Sequence, residues 1–318
     1  MLRSRYGLRL RLVGAADSCG AAYDPILGLD LAQVIALKRA GDTVGSYPAI
    51  GRRGWPALAL VDSAQADLLF DASPVNIHQG AEPGLSCIRT ALSRRMHVVT
   101  PNKGPLVLAY QELHDLAAGH DVQLRFDGTV AGGLPALYLG VRDLRGAEIH
   151  RIEAVPNLVT GYVLDLLAAG VVWEDALARA QQEGILEGDG SWDLEGWDAA
   201  AKLVILANAV LGVPASLEDV DVTGIIGLGA DRLRAACDQG LRYRVLASAQ
   251  RSAAGGYALT VCPTPLARDH PLGHLNGKQM GVLYETDIYG TLTACIEEVT
   301  PVPSAATMLR DVLDIYTR

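Results

Sequence analysis

One lysine lies alone in a long apolar stretch of the sequence. Lys202 is the only charged residue between Ala199 and Gly212. Asp198 precedes it by four residues, so both side chains are predicted to lie on one face of a helix. Apolar residues surround the rest of this helix, which predicts that it is buried. A buried lysine must be paired or must face a polar cavity. An ordinary surface ion pair is the alternative, and the apolar surroundings favour a functional site.

Two further features place charge where it could serve chemistry. Lys103 follows a predicted strand and precedes a helix that is predicted to begin near Pro105. The second feature is a run of acidic residues between Glu187 and Asp198. An exposed loop lysine is the simpler interpretation of Lys103, and a solvated loop is the simpler interpretation of the acidic run. Taken with two lysines in apolar surroundings, the acidic residues predict a charged pocket that holds an amino group and tunes a lysine. These acidic residues are Glu187, Asp189, Asp193, Glu195 and Asp198.

The elements that must position these residues alternate in the first part of the chain. Because strands alternate with helices, we predict an α/β fold with a doubly wound, largely parallel sheet. Ligands of such sheets bind beyond the carboxyl ends of the strands, which draws attention to residues 17–18, 71–74, 100–103 and 127–129. The predicted strands are residues 8–16, 57–61, 67–72, 97–100 and 122–126, and the predicted helices are residues 31–39, 85–95 and 106–118.

The second part of the chain has a different pattern, which is typical of an α+β domain with a more open sheet. Its predicted helices are residues 161–169, 174–183, 197–211 and 304–316, and its predicted strands are residues 220–226, 241–249, 257–262 and 280–286. The boundary is predicted in the Gly-rich stretch 128–133. We therefore expect domains at 1–129 and 130–299, with residues 300–318 packing back on the first.

Composition narrows the class of protein. The 318 residues include 27 Lys and Arg against 36 Asp and Glu, a net charge of −9. This acidic balance argues against a nucleic-acid partner and against a polybasic membrane anchor, and no apolar run is long enough to span a bilayer. The five cysteines include no C-x-x-C pair, which predicts reduced, mostly buried thiols in a cytoplasmic protein. An enzyme of small molecules is the simplest interpretation.

Five sequence blocks, in order and at compatible spacing, resemble those of homoserine dehydrogenase. They are residues 100–106 (TPNKGPL), 127–135 (DGTVAGGLP), 157–162 (NLVTGY), 176–193, and 193–202 (DLEGWDAAAK). The resemblance implies an incomplete Rossmann-like nucleotide-binding domain followed by an α+β domain for substrate binding and homodimerisation. It also implies NAD- or NADP-dependent interconversion of L-homoserine and L-aspartate 4-semialdehyde, in threonine and methionine biosynthesis.

The resemblance also implies roles for individual residues. Lys103 and Lys202 would flank the reacting carbonyl, one of them handling the alcohol proton, and Asp198 would orient the reacting group. Asp17 would accept hydrogen bonds from ribose hydroxyls, which favours NAD over NADP. The substrate would be held by Glu187, Asp193, Asn157 and Thr160. The cofactor would be held by Asp17, Ser18, Ser73, Pro74, Thr100, Asn102 and Lys103. A monovalent cation would bind Asp127, where the family usually has Glu, and the carbonyl of Val130.

Several features depart from the family pattern. The sequence contains no G-x-G-x-x-G turn to hold a pyrophosphate. The family often has Arg where Cys19 stands, and Gly-Thr where Leu158 and Val159 stand. It has a Gly-rich loop where residues 296–301 carry two glutamates, which would repel a pyrophosphate.

Two explanations of these departures stay open. In the first, the protein starts about one βα unit before Met1, because a parallel sheet without an interior strand loses backbone hydrogen-bond partners. In the second, the chain is a diverged homologue without dinucleotide binding. It would then act on another small amino or hydroxy acid by lysine and carboxylate acid–base chemistry, or serve as a non-catalytic subunit.

Overall fold

The computed structural model describes residues 2–186, 188–253, 255–298 and 300–317. The chain divides into two compact units. Unit 1 comprises Met1–Phe126 and Met308–Arg318, and unit 2 comprises Asp127–Thr307. The functions assigned to the two parts of the sequence stay predictions.

Unit 1 forms two three-stranded sheets within its described residues, one antiparallel in the order β1-β2-β3 and one parallel in the order β4-β5-β6. Its elements are α1 (Leu2–Tyr6), β1 (Gly14–Asp17), β2 (Gly20–Tyr23), α2 (Leu31–Arg39), β3 (Gly51–Arg53), α3 (Ala57–Ser63), β4 (Leu68–Phe70), α4 (Gly84–Ser93), β5 (His97–Val99), α5 (Lys103–Gly119) and β6 (Leu124–Arg125).

The parallel part of the predicted sheet is confirmed in β4, β5 and β6, and α2 has the predicted bounds. One predicted strand is wrong, and another is confirmed only over its last three residues. Residues 57–61 form helix α3, because short apolar runs are ambiguous and Ala and Leu favour helix. Residues 8–13 are not in a strand; β1 starts at Gly14, where the chain pairs with β2 across the turn at Ser18 and Cys19.

Unit 2 contains a six-stranded sheet in the order β12-β11-β7-β9-β10-β8, antiparallel except where β8 runs parallel to β10. The remaining elements of the chain are α6 (Ala136–Tyr138), β7 (Ile149–Val155), α7 (Leu158–Ala168), α8 (Trp173–Gln182), α9 (Ser191–Leu194), α10 (Trp197–Leu206), β8 (Val220–Val222), α11 (Ala230–Asp238), β9 (Leu241–Arg251), β10 (Tyr257–Ala267), β11 (Gln279–Thr286), β12 (Gly290–Glu297) and α12 (Val302–Tyr316). The residues of α12 from Met308 onward belong to unit 1, where Val312 and Ile315 pack with Val99.

The predicted strands and helices of this part are confirmed, with shifted ends, and five elements were missed. Sequence patterning did not identify the short helices α6 and α9, nor β7, β12 and α11. Strand β12 lies at the edge of the sheet, and its exposed positions carry small or polar residues. Helix α11 is largely polar, so neither element has a strong apolar pattern. Lys103 begins α5, two residues before the predicted start at Pro105, because Asn102 caps the helix.

Helix α10 is buried on nearly all sides, as its sequence predicts, and packs with β9 and β10. The helix continues as a π-helical turn over Ala207–Leu211. Among the described residues, no helix combines the length and the apolar character that a bilayer-spanning segment requires. All five cysteines are described and are free thiols, but Cys19, Cys237 and Cys295 are exposed, so the prediction of mostly buried thiols is wrong.

An ion pair between a buried arginine and a partly exposed aspartate ties α7 to the sheet. Arg244, on β9, is 1% exposed, and its Nη2 lies 2.8 Å from Asp165 Oδ1 on α7. The same Nη2 donates to the carbonyl of Leu275, and Asp165 Oδ2 accepts from the backbone N–H of Gly277 at 2.7 Å. Burial lowers the pKa of Arg244, and Asp165 opposes that effect.

A second carboxylate joins the elements of the antiparallel sheet of unit 1. Asp17 Oδ1 accepts from Cys19 N and Thr43 Oγ1, and Oδ2 accepts from Lys38 Nζ and Val44 N, at 2.7 to 3.0 Å. Burial alone would raise the pKa of Asp17, but these hydrogen bonds hold it well below its usual value. The carboxylate therefore fastens the end of β1 to α2 and to the turn that follows α2.

Replacement of Asp165 by Asn is expected to lower the free energy of unfolding by about 3 kcal/mol, because it leaves the buried charge of Arg244 uncompensated. Urea unfolding measures the change. Asp143→Asn is the matched control, since Asp143 pairs with Arg142 at the surface and should cost less than about 1 kcal/mol. Equal effects of the two variants would contradict the structural role of the pair formed by Asp165 and Arg244.

Asp17→Asn is expected to reduce stability at neutral pH and to lose that effect in acid. A carboxyl whose pKa is depressed in the folded state stabilises the protein above its unfolded pKa of about 3.9, and the contribution disappears as pH falls towards the folded value. Urea unfolding over a pH series should show the two proteins converging below about pH 4. Asp62→Asn, at an exposed carboxylate 3.8 Å from Arg94, serves as the control. A difference that stays constant with pH would argue against this role of Asp17.

Candidate active site

The predicted pair of Asp198 and Lys202 forms on the buried helix α10. Lys202 Nζ lies 2.8 Å from Asp198 Oδ2, with the two side chains 14% and 6% exposed. The same amine donates to the carbonyl of Pro156 at 2.7 Å. These contacts use two of the three N–H groups of the ammonium, so a third remains for a group outside the cluster. The sequence did not indicate Pro156, because a backbone carbonyl acceptor has no side-chain pattern.

Asn157 connects this pair to a second carboxylate. Its Nδ2 donates to Asp198 Oδ2 and to Asp193 Oδ1, at 2.6 Å each. Its Oδ1 accepts from the backbone N–H of Thr160 at 2.9 Å and thereby caps the N-terminus of α7. The structure thus brings together four of the predicted residues of unit 2, Asn157, Asp193, Asp198 and Lys202; we call them the acidic-lysine cluster.

The other two predicted substrate residues are Thr160 and Glu187. Thr160 is buried, and its hydroxyl lies 3.2 Å from Asn157 Oδ1, inside the first turn of α7. Val159 is also buried, whereas Leu158 is partly exposed. Glu187 lies outside the described residues.

A second group of polar residues lies at the carboxyl ends of β4 and β5 in unit 1. Asn102 caps α5 through its Oδ1, and its Nδ2 lies 3.1 Å from Ser73 Oγ and 3.5 Å from the carbonyl of Pro74. Thr100 Oγ1 donates to Asp71 Oδ2 at 3.2 Å and accepts from Asn102 N at 2.9 Å. We call these residues, with Lys103, the strand-end cluster.

Asp71 and Gly84 complete the strand-end cluster. Asp71 belongs to the strand end 71–74 that the sequence pattern singled out, although no role was predicted for it, and Gly84 was not singled out. Asp71 is buried, and its carboxylate accepts from both neighbouring strand ends. A Cβ atom at Gly84 would lie 2.7 Å from Asn102 Nδ2 and from Ser73 Oγ. Only glycine allows this close approach. Gly84 lies at the start of α4, the next α-helix after β4, and this position in the sequence indicated neither role. Lys103 is half-buried at the first position of α5.

The predicted cofactor residues Asp17 and Ser18 lie at the end of β1. Both oxygens of Asp17 already accept two hydrogen bonds from the protein. A carboxylate has about four acceptor positions, so a ribose hydroxyl would have to share or replace one of these donors. Ser18 is exposed in the turn between β1 and β2.

The predicted cation residues lie in the loop that opens unit 2. Asp127 is buried, and its Oδ1 accepts from Tyr138 N at 3.2 Å; Val130 is buried nearby in the chain. One glutamate of the 296–301 segment also reaches this loop: Glu298 accepts from Gly133 N at 2.9 Å and from Ser304 Oγ at 2.7 Å. Glu298 is thus turned into the protein and hydrogen-bonded, while Glu297 is exposed. Within the described residues, no group of three His, Cys, Asp or Glu side chains is arranged for a metal ion.

Comparison with known proteins identifies a family. The family model of homoserine dehydrogenase matches residues 135–313. The chain is 33% identical over 307 residues to a homoserine dehydrogenase of Methanocaldococcus jannaschii, covering 96% of this chain and 89% of the relative. It is 30% identical over 314 residues to an NAD(+)-dependent homoserine dehydrogenase of Pseudomonas canavaninivorans, covering 99% and 89%.

The fold gives the same result. A provisionally named homoserine dehydrogenase from Archaeoglobus fulgidus superposes with a TM-score of 0.85 and 31% identity, covering 100% of this chain and 94% of that chain. The mixed α/β architecture, with its parallel three-stranded sheet and its mixed six-stranded sheet, is therefore that of homoserine dehydrogenases. The sequence blocks, the fold and the extent of identity together show that this chain belongs to the homoserine dehydrogenase family.

Proposed function

We propose that this protein interconverts L-homoserine and L-aspartate 4-semialdehyde with NAD or NADP, in the route to threonine and methionine. The single observation that carries the proposal is the acidic-lysine cluster. It fixes an amine on a buried helix with two hydrogen bonds and keeps a third N–H for another group. Family membership supports this over the alternatives of a diverged enzyme without cofactor and a non-catalytic subunit.

In this proposal Lys202 handles the proton of the reacting oxygen. A positioned group that donates or accepts a proton in the transition state accelerates such a reaction by about 10² to 10⁴. Pro156 and Asp198 hold Nζ from two directions, so its third N–H has a defined direction. Lys103 is proposed as the second amine at the reacting carbonyl. Asp193 and Glu187 are proposed to hold the substrate ammonium, with Thr160 lining the site.

The strand-end cluster fits part of a dinucleotide. The hydroxyl of Ser73 and the amine of Lys103 suit ribose hydroxyls or a carboxamide, and they lie at carboxyl ends of parallel strands, where such ligands bind. Asn102, whose amide is hydrogen-bonded within the protein at both atoms, is proposed to hold Ser73 in place for the cofactor. A Cβ atom at Gly84 would come within 2.7 Å of Ser73 Oγ and Asn102 Nδ2, so a larger residue there would displace these two groups. When bound, the nicotinamide supplies or accepts the hydride. Thr100 and Pro74 are proposed to support this site, and Asp17 and Ser18 to lie at the adenosine ribose.

Four further statements complete the proposal. The substrate is a small amino-acid derivative, the enzyme acts as a homodimer, and it works in the cytoplasm. Asp127 and the carbonyl of Val130 are proposed to bind a monovalent cation, because a carboxylate and backbone carbonyls are the oxygen ligands that hard cations take. These statements rest on family membership.

Lys202→Met is expected to lower kcat/KM for homoserine oxidation by about 10² to 10⁴ with little change in the circular dichroism spectrum. The absorbance of the reduced nicotinamide measures turnover. Lys278→Met is the matched control, since Lys278 is an exposed lysine of the same unit that pairs with Glu183. Turnover by Lys202→Met at the wild-type rate would refute the proposed proton transfer.

Asp17→Asn is expected to raise the ratio of kcat/KM for NADP to that for NAD by about tenfold or more. A carboxylate kept ionised beside the ribose repels a 2′-phosphate, and its removal relieves that repulsion. Steady-state kinetics with each cofactor give the ratio, which does not depend on the fraction of active protein. An unchanged ratio would place Asp17 outside the cofactor site.

A further inference from the structure

We propose that Asn157 is a positioning residue, which holds Asp193 and Asp198 together as neighbouring carboxylates and directs Asp198 towards Lys202, and that it does not itself bind substrate. This inference rests on the proposed function, and it replaces the substrate-binding role that the family resemblance implies for Asn157. It follows from the hydrogen-bonding capacity of one side chain.

The amide of Asn157 has no capacity left for a substrate. An asparagine side chain offers two N–H donors and one oxygen with two lone pairs. Both donors are used by Asp193 Oδ1 and Asp198 Oδ2, and the oxygen accepts from the backbone N–H of Thr160 at 2.9 Å and from the hydroxyl of Thr160 at 3.2 Å. The residue is 4% exposed, so a substrate atom would have to displace one of these contacts.

The orientation of this amide is determined by its neighbours. A flipped side chain would place its oxygen against two carboxylate oxygens and its NH₂ group against the N–H of Thr160, so that every contact would join like partners. The cap of α7 therefore sets the direction of Nδ2. Because α7 begins directly after Asn157, the position of the two carboxylates depends on the start of this helix.

The charges around the amide explain why a neutral donor is needed there. Asp193 on α9 and Asp198 and Lys202 on α10 are the charged side chains that the described residues bring to it. Two carboxylates that accept hydrogen bonds from the same nitrogen lie close together and repel each other. This repulsion favours protonation of one carboxylate unless hydrogen-bond donors lie between the two. Lys202 Nζ contacts the same oxygen of Asp198 as Asn157 does. Asn157 thus supplies an N–H donor to each of the two carboxylates.

Two substitutions separate capping from positioning. Asn157→Ser keeps an acceptor for the N–H of Thr160, since serine is a good helix cap, but it removes both donors. Asn157→Asp keeps the shape and the cap, but it replaces the donor by a third carboxylate oxygen. Both variants are expected to retain the wild-type circular dichroism spectrum and to lower kcat at neutral pH at least about tenfold, because the lysine is misplaced.

The pH dependence is the measurement that a purely structural role would not change. In Asn157→Asp, one proton taken up in acid restores a donor between the oxygens, so activity should recover and the pH optimum of kcat should move down by about one unit or more. Asn157→Ser gains no such proton and should show no acid shift. Asn208→Asp is the matched control: Asn208 also donates twice and accepts once, but its partners are the backbone of Val204 and Ala215.

A second measurement does not depend on turnover. Infrared spectroscopy of Asn157→Asp, at the acid pH where its activity recovers, should show a protonated carboxyl band that is absent at the same pH from the wild-type protein and from Asn157→Ser. Adding Asp198→Asn to this variant should remove the band. If the variants show this infrared pattern but the wild-type chain does not oxidise homoserine, the proposed function is refuted and the positioning role is kept. An active wild-type chain whose Asn157→Asp variant lacks both the band and the acid shift would overturn the positioning role alone.

Discussion

One carboxylate oxygen organises the charged site of unit 2. Asp198 Oδ2 accepts from Lys202 on its own helix and from Asn157 at the start of α7. The helix that carries it is apolar on its other faces and buried, so these groups have little water to hydrate them. Burying charges without compensation is costly. The cluster compensates by pairing opposite charges and by supplying a donor for each carboxylate, which is why its members come from several elements.

The part of this cluster that lies within one helix could be predicted from the sequence. The four-residue spacing of Asp198 and Lys202 and the apolar residues around them sufficed for the ion pair and for the burial of α10. The long-range contacts could not be predicted from spacing. Asn157 reaches carboxylates 36 and 41 residues away, and the carbonyl of Pro156 has no side chain to indicate its role. Family resemblance identified Asn157 as a site residue, but only the geometry shows how its hydrogen bonds are used.

The fold shows a similar division. Segments with a clear period, such as α2 and the parallel strands β4 and β5, appear where the sequence predicts them. Residues 57–61 lie in a helix and not in the predicted strand, because an alternation of Ala and Leu is compatible with either element and tertiary packing decides between them. Hydrogen-bond capacity is equally invisible in the sequence. Asp17 and Glu298 read as charges facing a cofactor, whereas each carboxylate is already engaged by donors within the protein.

The carbonyl that holds Lys202 belongs to the residue that directly follows β7. This strand has neighbours on both sides, β11 and β9, and so lies inside the six-stranded sheet. The position of Lys202 Nζ is therefore fixed by a carbonyl at the end of an interior strand of the sheet. Residues 158 and 159, on the next turn of chain, can then differ from the family pattern without moving the amine. In such an arrangement the first turn of α7 and the location of the nitrogen proposed to handle the proton are free to evolve separately.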